Sequence, residues 1–212
     1  MRVGKFDDVR QKAKTSKAPV LLLERNNLLM ETINQYVESL KNIVVNDHNL
    51  EKILGEDFEV KYSANPFEEY GLEDAILEAL QKEIKLKSGG RISIEETRAC
   101  TAIDVDSGED DGQGSLGRLN METADEMARQ IILRNLSGKI VIDFAGFSEY
   151  KYLKNAIDLL EENLHQDTTK VFVYGLSRAG LVEVSRARRR PSLLDVLSVE
   201  CPTCKGCGRV EK

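Results

Sequence analysis

The sequence predicts an α/β fold, and two observations support this. Short apolar runs with the length of buried strands alternate along the chain with longer segments whose apolar residues recur at three- and four-residue steps, the spacing of one helix face. The composition is that of a globular protein, since 41% of the 212 residues are hydrophobic and 31% are charged. A chain of this length can form one large domain or two small ones with a core.

The first half of the chain is predicted to contain three strands and three helices. The strands are PVLLL (19–23), NIVVND (42–47) and FEVKYS (58–63). The helices cover residues 27–40, a short segment around 49–55, and the long segment 71–86. The dipeptide Gly89-Gly90 predicts a hinge or a tight turn, and we expect the domain boundary there.

The second half continues the alternation. RISIEET (91–97) and ACTAIDVD (99–106) predict a β-ribbon, which a glycine-rich acidic loop follows. The next predicted elements are a helix, a strand, a helix and a strand, at residues 120–136, 139–144, 149–165 and 170–175. In VEVSRAR (182–188), strand alternation would put Arg186 and Arg188 on one face.

The segments TAIDVD, 120–136 and KIVIDF form a strand–helix–strand unit. Such crossovers are nearly always right-handed and place the two strands parallel and close together. Asp104 and Asp143 lie near the carboxyl ends of these strands, where open α/β sheets bind ligands. We therefore expect both aspartates within reach of one cation, with Asp106 pointing the same way as Asp104. The alternative is that these residues only end strands or cap the following loops.

Carboxylate oxygens without a nearby histidine favour Mg²⁺ or Mn²⁺ over zinc. A Mg²⁺ ion held by one or two carboxylates keeps positions for water and a substrate phosphate, and it can orient a nucleophilic water. His48 and His165 have no metal or nucleophile partner at useful spacing, so we predict surface positions for both. Cys100, inside an apolar strand, is predicted to be a small buried hydrophobic residue.

Charge is distributed unevenly along the chain. The net charge of −6 weakly disfavours a nucleic-acid partner. However, residues 104–111 carry five acids and no base, whereas residues 178–190 carry five arginines and one acid. This separation predicts a cation site facing a polyanion site, with Arg178, Arg186 and Arg188 on a phosphate backbone. Two solvated charged faces are the alternative.

The cysteines predict a metal site rather than disulfides. Cys201 and Cys204 have C-x-x-C spacing, and Cys207 follows three residues later. This crowding suits a metal or redox role in a reducing compartment. The polar start of the chain lacks a signal-peptide core, and no apolar run approaches the roughly 18 residues of a membrane span. We therefore expect a cytoplasmic protein with no membrane segment.

Four motifs, in this order and spacing, resemble the catalytic core of the ribonuclease E/G family. They are GGRISIEETRACTAIDVDSG, NMETADEMARQIILRNLSGKIVIDF, GLSRAGLVEVSRARRRPSL and CPTCKGCG. The upstream stretch APVLLLERNNLLMETINQYV is similar to the segment that precedes this core. The resemblance covers roughly residues 6–210.

The resemblance implies an endoribonuclease that cuts single-stranded RNA with Mg²⁺ and leaves a 5′-phosphate and a 3′-hydroxyl. Asp104 and Asp143 match the metal-binding aspartates, and Asp106 stands where the family has a supporting asparagine. Two further positions depart from the family pattern. Arg98 replaces an acid in the T-E-A motif, and V-I-D-F-A-G lacks the second acid of V-I-D-F-I-D.

The resemblance also implies three parts: a partial RNase H-like subdomain (1–88), a DNase I-like α/β catalytic subdomain (89–198) and a zinc-link tail (199–212). Cys201 and Cys204 match half of a structural Zn²⁺ site whose other half comes from a second protomer, which predicts a homodimer. Cys207 could instead act as a third ligand within one chain. The N-terminal oligonucleotide-binding domain and the 5′-end sensor have no counterpart in this sequence.

Two alternatives stay open. The first is a non-catalytic or weakly active RNA-binding or assembly module, since Asp106 departs from the family pattern and two family domains have no counterpart. The second is that the chain is a piece of a longer enzyme.

Overall fold

A computed structural model describes residues 2–17, 19–20, 28–108, 115–146, 150–206 and 208–210. The chain divides into two compact units, residues 1–66 and 67–212. None of the helices in the described ranges combines the length and apolar character of a membrane span.

The described elements alternate between helices and strands, as the sequence predicts. The helices are α1 (Arg2–Thr15), α2 (Leu28–Tyr36), α3 (His48–Gly55), α4 (Pro66–Glu69), α5 (Leu72–Ala79), α6 (Ser115–Leu133), α7 (Tyr150–Leu164) and α8 (Leu193–Leu197). The strands are β1 (Ile43–Val45), β2 (Val60–Tyr62), β3 (Glu83–Lys85), β4 (Arg91–Glu96), β5 (Thr101–Asp106), β6 (Gly138–Asp143), β7 (Val171–Leu176) and β8 (Val182–Arg186).

The first unit has a small core. Strands β1 and β2 pair in parallel, and the buried side chains of Ile33, Val45 and Leu54 pack together. Asp47 caps α3 by accepting a 2.6 Å hydrogen bond from the backbone N–H of Asn49. Of the predicted strand 19–23, residues 21–23 lie outside the described residues. Helix α1 has no counterpart among the predictions, because its polar sequence lacks an apolar face.

The larger unit contains a six-stranded mixed sheet in the order β3-β4-β5-β6-β8-β7. Strands β5 and β6 are parallel, and the other neighbouring pairs are antiparallel. Alternate residues of the central strands point to one side of the sheet. There they pack against the apolar faces of α6 and α7 and form one continuous core. The predicted ribbon 91–106 and the predicted β5–α6–β6 crossover are both confirmed.

The opposite face of the sheet, which we call the open face, carries the polar alternate residues. In β4, β5, β6 and β8 the residues of this face, which are mostly polar, are exposed or half-buried: Arg91, Ser93, Glu95, Ala102, Asp104, Asp106, Lys139, Val141, Asp143, Glu183 and Ser185. All the predicted site carboxylates lie on this face.

The predicted helix 71–86 is wrong in its second half. Helix α5 ends at Ala79, and residues 83–85 form a strand that pairs with β4 through the turn at Gly89-Gly90. Ile84 and Leu86 alternate with lysines, so a strand period fits this stretch as well as a helix period does. Hydrogen bonds between β3 and β4 span residue 88, and the two compact units divide at residue 66. The three-part subdomain scheme stays a prediction.

Glycines make the turn at Gly89-Gly90 possible because a second turn packs closely against it. Gly89 has a φ of 93°, and Gly108 has a φ of 67°. A side chain on Gly108 would lie 2.7 Å from the carbonyl oxygen of Gly89. This close approach holds the β3–β4 turn against the residues that follow β5.

Candidate active site

Asp104 and Asp143 are neighbours across two parallel strands. The register of β5 and β6 pairs Asp104 directly with Asp143, and both residues are exposed on the open face. Adjacent strands lie about 4.8 Å apart, and side chains of paired residues in a parallel sheet leave the same face. The structure therefore brings these two carboxylates together, as the crossover argument predicts.

A buried asparagine holds the chain just beyond Asp143. Asn120, 2% exposed on α6, donates a 2.9 Å hydrogen bond from Nδ2 to the carbonyl oxygen of Ala145. The Oδ1 atom of Asn120 has no hydrogen-bond partner in the described part of the chain. The sequence interpretation missed Asn120. Its position four residues before buried Ala124, on the apolar face of α6, is the signal that could have identified it.

Asp106 is held by a cross-strand arginine. Arg91 lies opposite Asp106 in the β4–β5 register, and its Nη2 donates to the carboxylate at 2.6 Å. The backbone N–H of Gly108 donates to the same carboxylate at 2.9 Å. The Gly108 amide, and then Arg91, lower the pKa of Asp106 below its ordinary value. The sequence interpretation missed Arg91, because only the strand register shows which cation faces Asp106.

The donor set at this edge suits Mg²⁺ rather than zinc. No group of three or more histidine, cysteine, aspartate or glutamate side chains in the described ranges could enclose a metal. Two carboxylates on an exposed edge match the way Mg²⁺ binds, because this ion keeps several waters and takes substrate phosphates as its other ligands. The acidic residues at 109–111 lie outside the described residues.

The three predicted RNA-binding arginines lie in three different surroundings. Arg178 is exposed in the turn between β7 and β8, where the N–H of Ser177 donates to the carbonyl of Leu181 at 2.8 Å. Val182, the first residue of β8, pairs with Ile142. The turn that carries Arg178 therefore lies at the same edge of the sheet as Asp143.

Arg186 is a structural residue, and its predicted exposure beside Arg188 is wrong. Its side chain is 4% exposed, and its Nε lies 2.6 Å from the carboxylate of Asp167. Its Nη1 also donates to Asn135 Oδ1 at 2.8 Å and to the carbonyl of Leu136 at 3.0 Å. The strand period places Arg186 on the face of Val182 and Val184, which is the core face.

Arg188 is exposed beyond the end of β8, at the opposite edge of the sheet from the carboxylates. Its guanidinium lies over Gly138, the first residue of β6, since a side-chain carbon on Gly138 would meet Nη2 of Arg188 at 3.5 Å. Arg178 and Arg188 are thus separated by the full length of β8.

Cys201 and Cys204 form a compact turn in the tail. The N–H of Lys205 donates to the carbonyl of Cys201 at 2.8 Å, and Lys205 and Gly206 both have positive φ. Backbone N–H groups of Cys204 and Thr203 lower the pKa of the Cys201 thiol below its ordinary value. These amides stabilise a thiolate, the form that binds metal. Cys207 lies outside the described residues.

The remaining cysteine and the histidines have simpler surroundings. Cys100 precedes β5 and is half-buried, so its predicted full burial is wrong. The side chains of His48 and His165 are 68% and 75% exposed, which confirms their prediction as surface residues.

The chain matches a known protein family and several known proteins. The sequence profile described as the Ribonuclease E/G family matches residues 2–189. Ribonuclease G of Haemophilus influenzae is 42% identical over an alignment of 158 positions that covers 72% of this chain and 32% of that protein. Ribonuclease E of Escherichia coli is 32% identical over an alignment of 227 positions, gaps included, that covers 99% of this chain and 21% of that protein. Ribonuclease G of Escherichia coli is 39% identical, over 68% of this chain and 30% of that protein.

The chain thus spans about a third or less of the length of these relatives. The profile match extends over nearly the whole chain, and it includes both paired aspartates. The chain belongs to the ribonuclease E/G family.

Proposed function

We propose that this chain carries the cleavage site of a Mg²⁺-dependent endoribonuclease that hydrolyses single-stranded RNA to 5′-phosphate and 3′-hydroxyl ends. The observation that carries the proposal is the cross-strand pairing of Asp104 with Asp143 on the open face. The relatives are named Ribonuclease E and Ribonuclease G, which supports RNA as the substrate. Unpaired RNA is favoured because its bases are accessible, whereas side chains cannot read the narrow major groove of an A-form helix.

We call the end of the sheet that carries Asp104, Asp106 and Asp143 the carboxylate edge. Each residue there has a separate role in this proposal. Asp104 and Asp143 hold the metal, which supplies an oriented water and neutralises charge on the phosphoryl group when it is bound. Arg91 pairs with Asp106, and this reduces the negative charge that an approaching phosphate would meet. Arg178 lies at the same edge, where its planar guanidinium can donate two hydrogen bonds to one phosphate.

Cleavage of a fluorogenic single-stranded RNA tests the proposal. We expect Asp104→Asn to lower turnover at least about 100-fold, because a metal ligand contributes several kcal/mol of transition-state stabilisation. The matched control is Asp158→Asn, an exposed aspartate on α7, which should leave turnover unchanged.

Near-normal turnover by Asp104→Asn would remove the basis of the proposal. Tight RNA binding by the unmodified chain without any turnover in Mg²⁺ or Mn²⁺ would instead indicate a non-catalytic RNA-binding or assembly module, the rival that Asp106 motivates.

We also propose that Cys201 and Cys204 supply half of a zinc site that is completed by a second copy of the chain. The thiolate-stabilising amides at Cys201 support this role. Native mass spectrometry should show one zinc for two chains, and removal of the zinc by a chelator should give monomers. One zinc per chain would instead identify Cys207 as a ligand within one chain. A cytoplasmic location, where such thiols stay reduced, is part of this proposal.

A further inference from the structure

A cavity lies at the amino ends of the two parallel strands, at the far side of the sheet from the carboxylates. We call it the basic cavity. It encloses about 410 Å³, and its lining includes Arg98, Thr101, Gly138, Lys139 and residues 188–190. Thr101 and Gly138 are the first residues of β5 and β6, which fixes the location of the cavity in the fold.

Positive charge dominates this cavity. Five of its lining side chains are basic and two are acidic. None of the ion pairs among the described residues involves Arg98, Lys139 or the three consecutive arginines at 188–190. Five cations around one concave surface outnumber the carboxylates of Glu96 and Asp195 and form a site for an anion with several negative charges.

The cavity and the carboxylate pair are connected by one face of one strand. Lys139 and Asp143 both leave the open face of β6, four residues apart, which corresponds to about 13 Å along a strand. A chain of phosphates that enters the carboxylate edge can therefore continue along this face to Lys139. Arg98 adds a further positive charge at the same end of the sheet.

We propose that the basic cavity binds backbone phosphates of the same single-stranded RNA, a few nucleotides away from the bond that is cut. The inference rests on the proposed function for its choice of ligand. It adds a second contact region, with Arg98, Lys139 and Arg189 among its phosphate ligands. Its contacts are to phosphates, so they should be independent of base sequence.

RNA affinity in a charge-neutralised variant tests the inference. The probe is a fluorescein-labelled, unstructured 12-nucleotide RNA in buffer without Mg²⁺, and the variant is Arg98→Gln/Lys139→Gln/Arg189→Gln in the full chain. The control is Lys12→Gln/Lys14→Gln/Lys154→Gln, which removes the same charge from exposed positions on α1 and α7. We expect the cavity variant to bind at least about tenfold more weakly than the control at low salt. The slope of log K against log salt should also decrease by about 2, since each phosphate contact contributes roughly 0.7 for a single strand.

Cys100 gives an independent measurement on the unmodified chain. Its half-buried thiol lines the basic cavity, so bound RNA should slow its alkylation by iodoacetamide severalfold. Residue-resolved mass spectrometry separates this thiol from Cys201 and Cys204, the proposed zinc ligands.

The outcomes separate this inference from the proposed function. If the cavity variant binds RNA as tightly as the control and RNA leaves Cys100 equally reactive, the inference is overturned, and RNA cleavage by the unmodified chain would still stand. If RNA protects Cys100 and the cavity variant binds weakly while no cleavage occurs in Mg²⁺, the inference is supported and the proposed activity fails. Protection by inorganic tripolyphosphate but not by RNA would also overturn it, because the cavity would then bind a small polyphosphate instead.

Discussion

The two ends of β5 and β6 differ in charge although they belong to the same strands. At the carboxyl ends, Asp104 and Asp143 face solvent as a cross-strand pair. At the amino ends, Arg98, Lys139 and residues 188–190 surround the basic cavity. The parallel arrangement causes this separation, because it gathers like ends of both strands at one edge. A cation site and a polyanion site can therefore share one sheet face without neutralising each other.

A comparison of two residues of β6 has the largest expected effect. Asp143→Asn should lower the single-turnover cleavage rate at least about 100-fold with little change in RNA affinity, because the proposed function makes this residue a metal ligand. Lys139→Gln should do the reverse, raising the Kd for RNA a few-fold while leaving the rate at saturating RNA unchanged. Single-turnover kinetics with fluorescence anisotropy measures both quantities. Equal effects of the two substitutions on the rate would show that the two ends do not have separate roles.

Two neighbouring arginines at the basic end provide the next comparison. Arg186→Ala should lower the free energy of unfolding by about 3–5 kcal/mol, because it leaves the buried carboxylate of Asp167 unpaired. Arg188→Ala, which removes an exposed arginine without an ion pair, should change it by less than about 0.5 kcal/mol. Urea titrations followed by circular dichroism measure both. A loss below about 1 kcal/mol for Arg186→Ala would contradict its structural assignment.

Substitution of Asp106 tests how strongly Arg91 offsets the negative charge of this aspartate at the carboxylate edge. We expect Asp106→Asn to weaken Mg²⁺ activation roughly threefold, because one charge about 7 Å away is worth about 0.6 kcal/mol in water. The Mg²⁺ concentration that gives half-maximal cleavage is the measurement. Arg91→Gln should shift this concentration in the opposite direction. A loss of all activity in Asp106→Asn would mean that Asp106 is itself a metal ligand.

Glu96, at the basic end, should give the smallest effect, and the effect depends on pH. Burial of its carboxyl raises the pKa of Glu96 above its ordinary 4.5, partly offset by Ser192, Arg134 and Arg188, although the residue as a whole is exposed. The folded chain therefore binds this proton more tightly than the unfolded chain does. The resulting stability is fully present below about pH 4.5 and is lost as pH rises through the raised pKa. The free energy of unfolding of Glu96→Gln, taken relative to that of the parent protein, should increase between pH 4 and pH 8 in urea titrations. The same difference at both pH values would contradict this.

The pairing of Asp104 with Asp143 was easier to predict than some of the surrounding fold. The crossover rule needs only two strands and a helix between them, so it brought Asp104 and Asp143 together correctly. The stretch around Ile84 and Leu86 was misinterpreted because a short apolar run fits both helix and strand periods. Asn120 and Arg91 were missed for a different reason, since each acts on a partner that is distant in sequence.

Local pattern by itself determined the alternation of helices and strands, the parallel crossover and the residue types at each strand end. It did so because periodicity and handedness depend on neighbours along the chain. Only the tertiary structure decided which face of β8 is buried, and with it that Arg186 pairs with Asp167 while Arg188 stays in solvent. The physical reason is that a strand period defines two faces but not which of them packs against α6 and α7, and that packing determines whether a charge meets water or a buried partner.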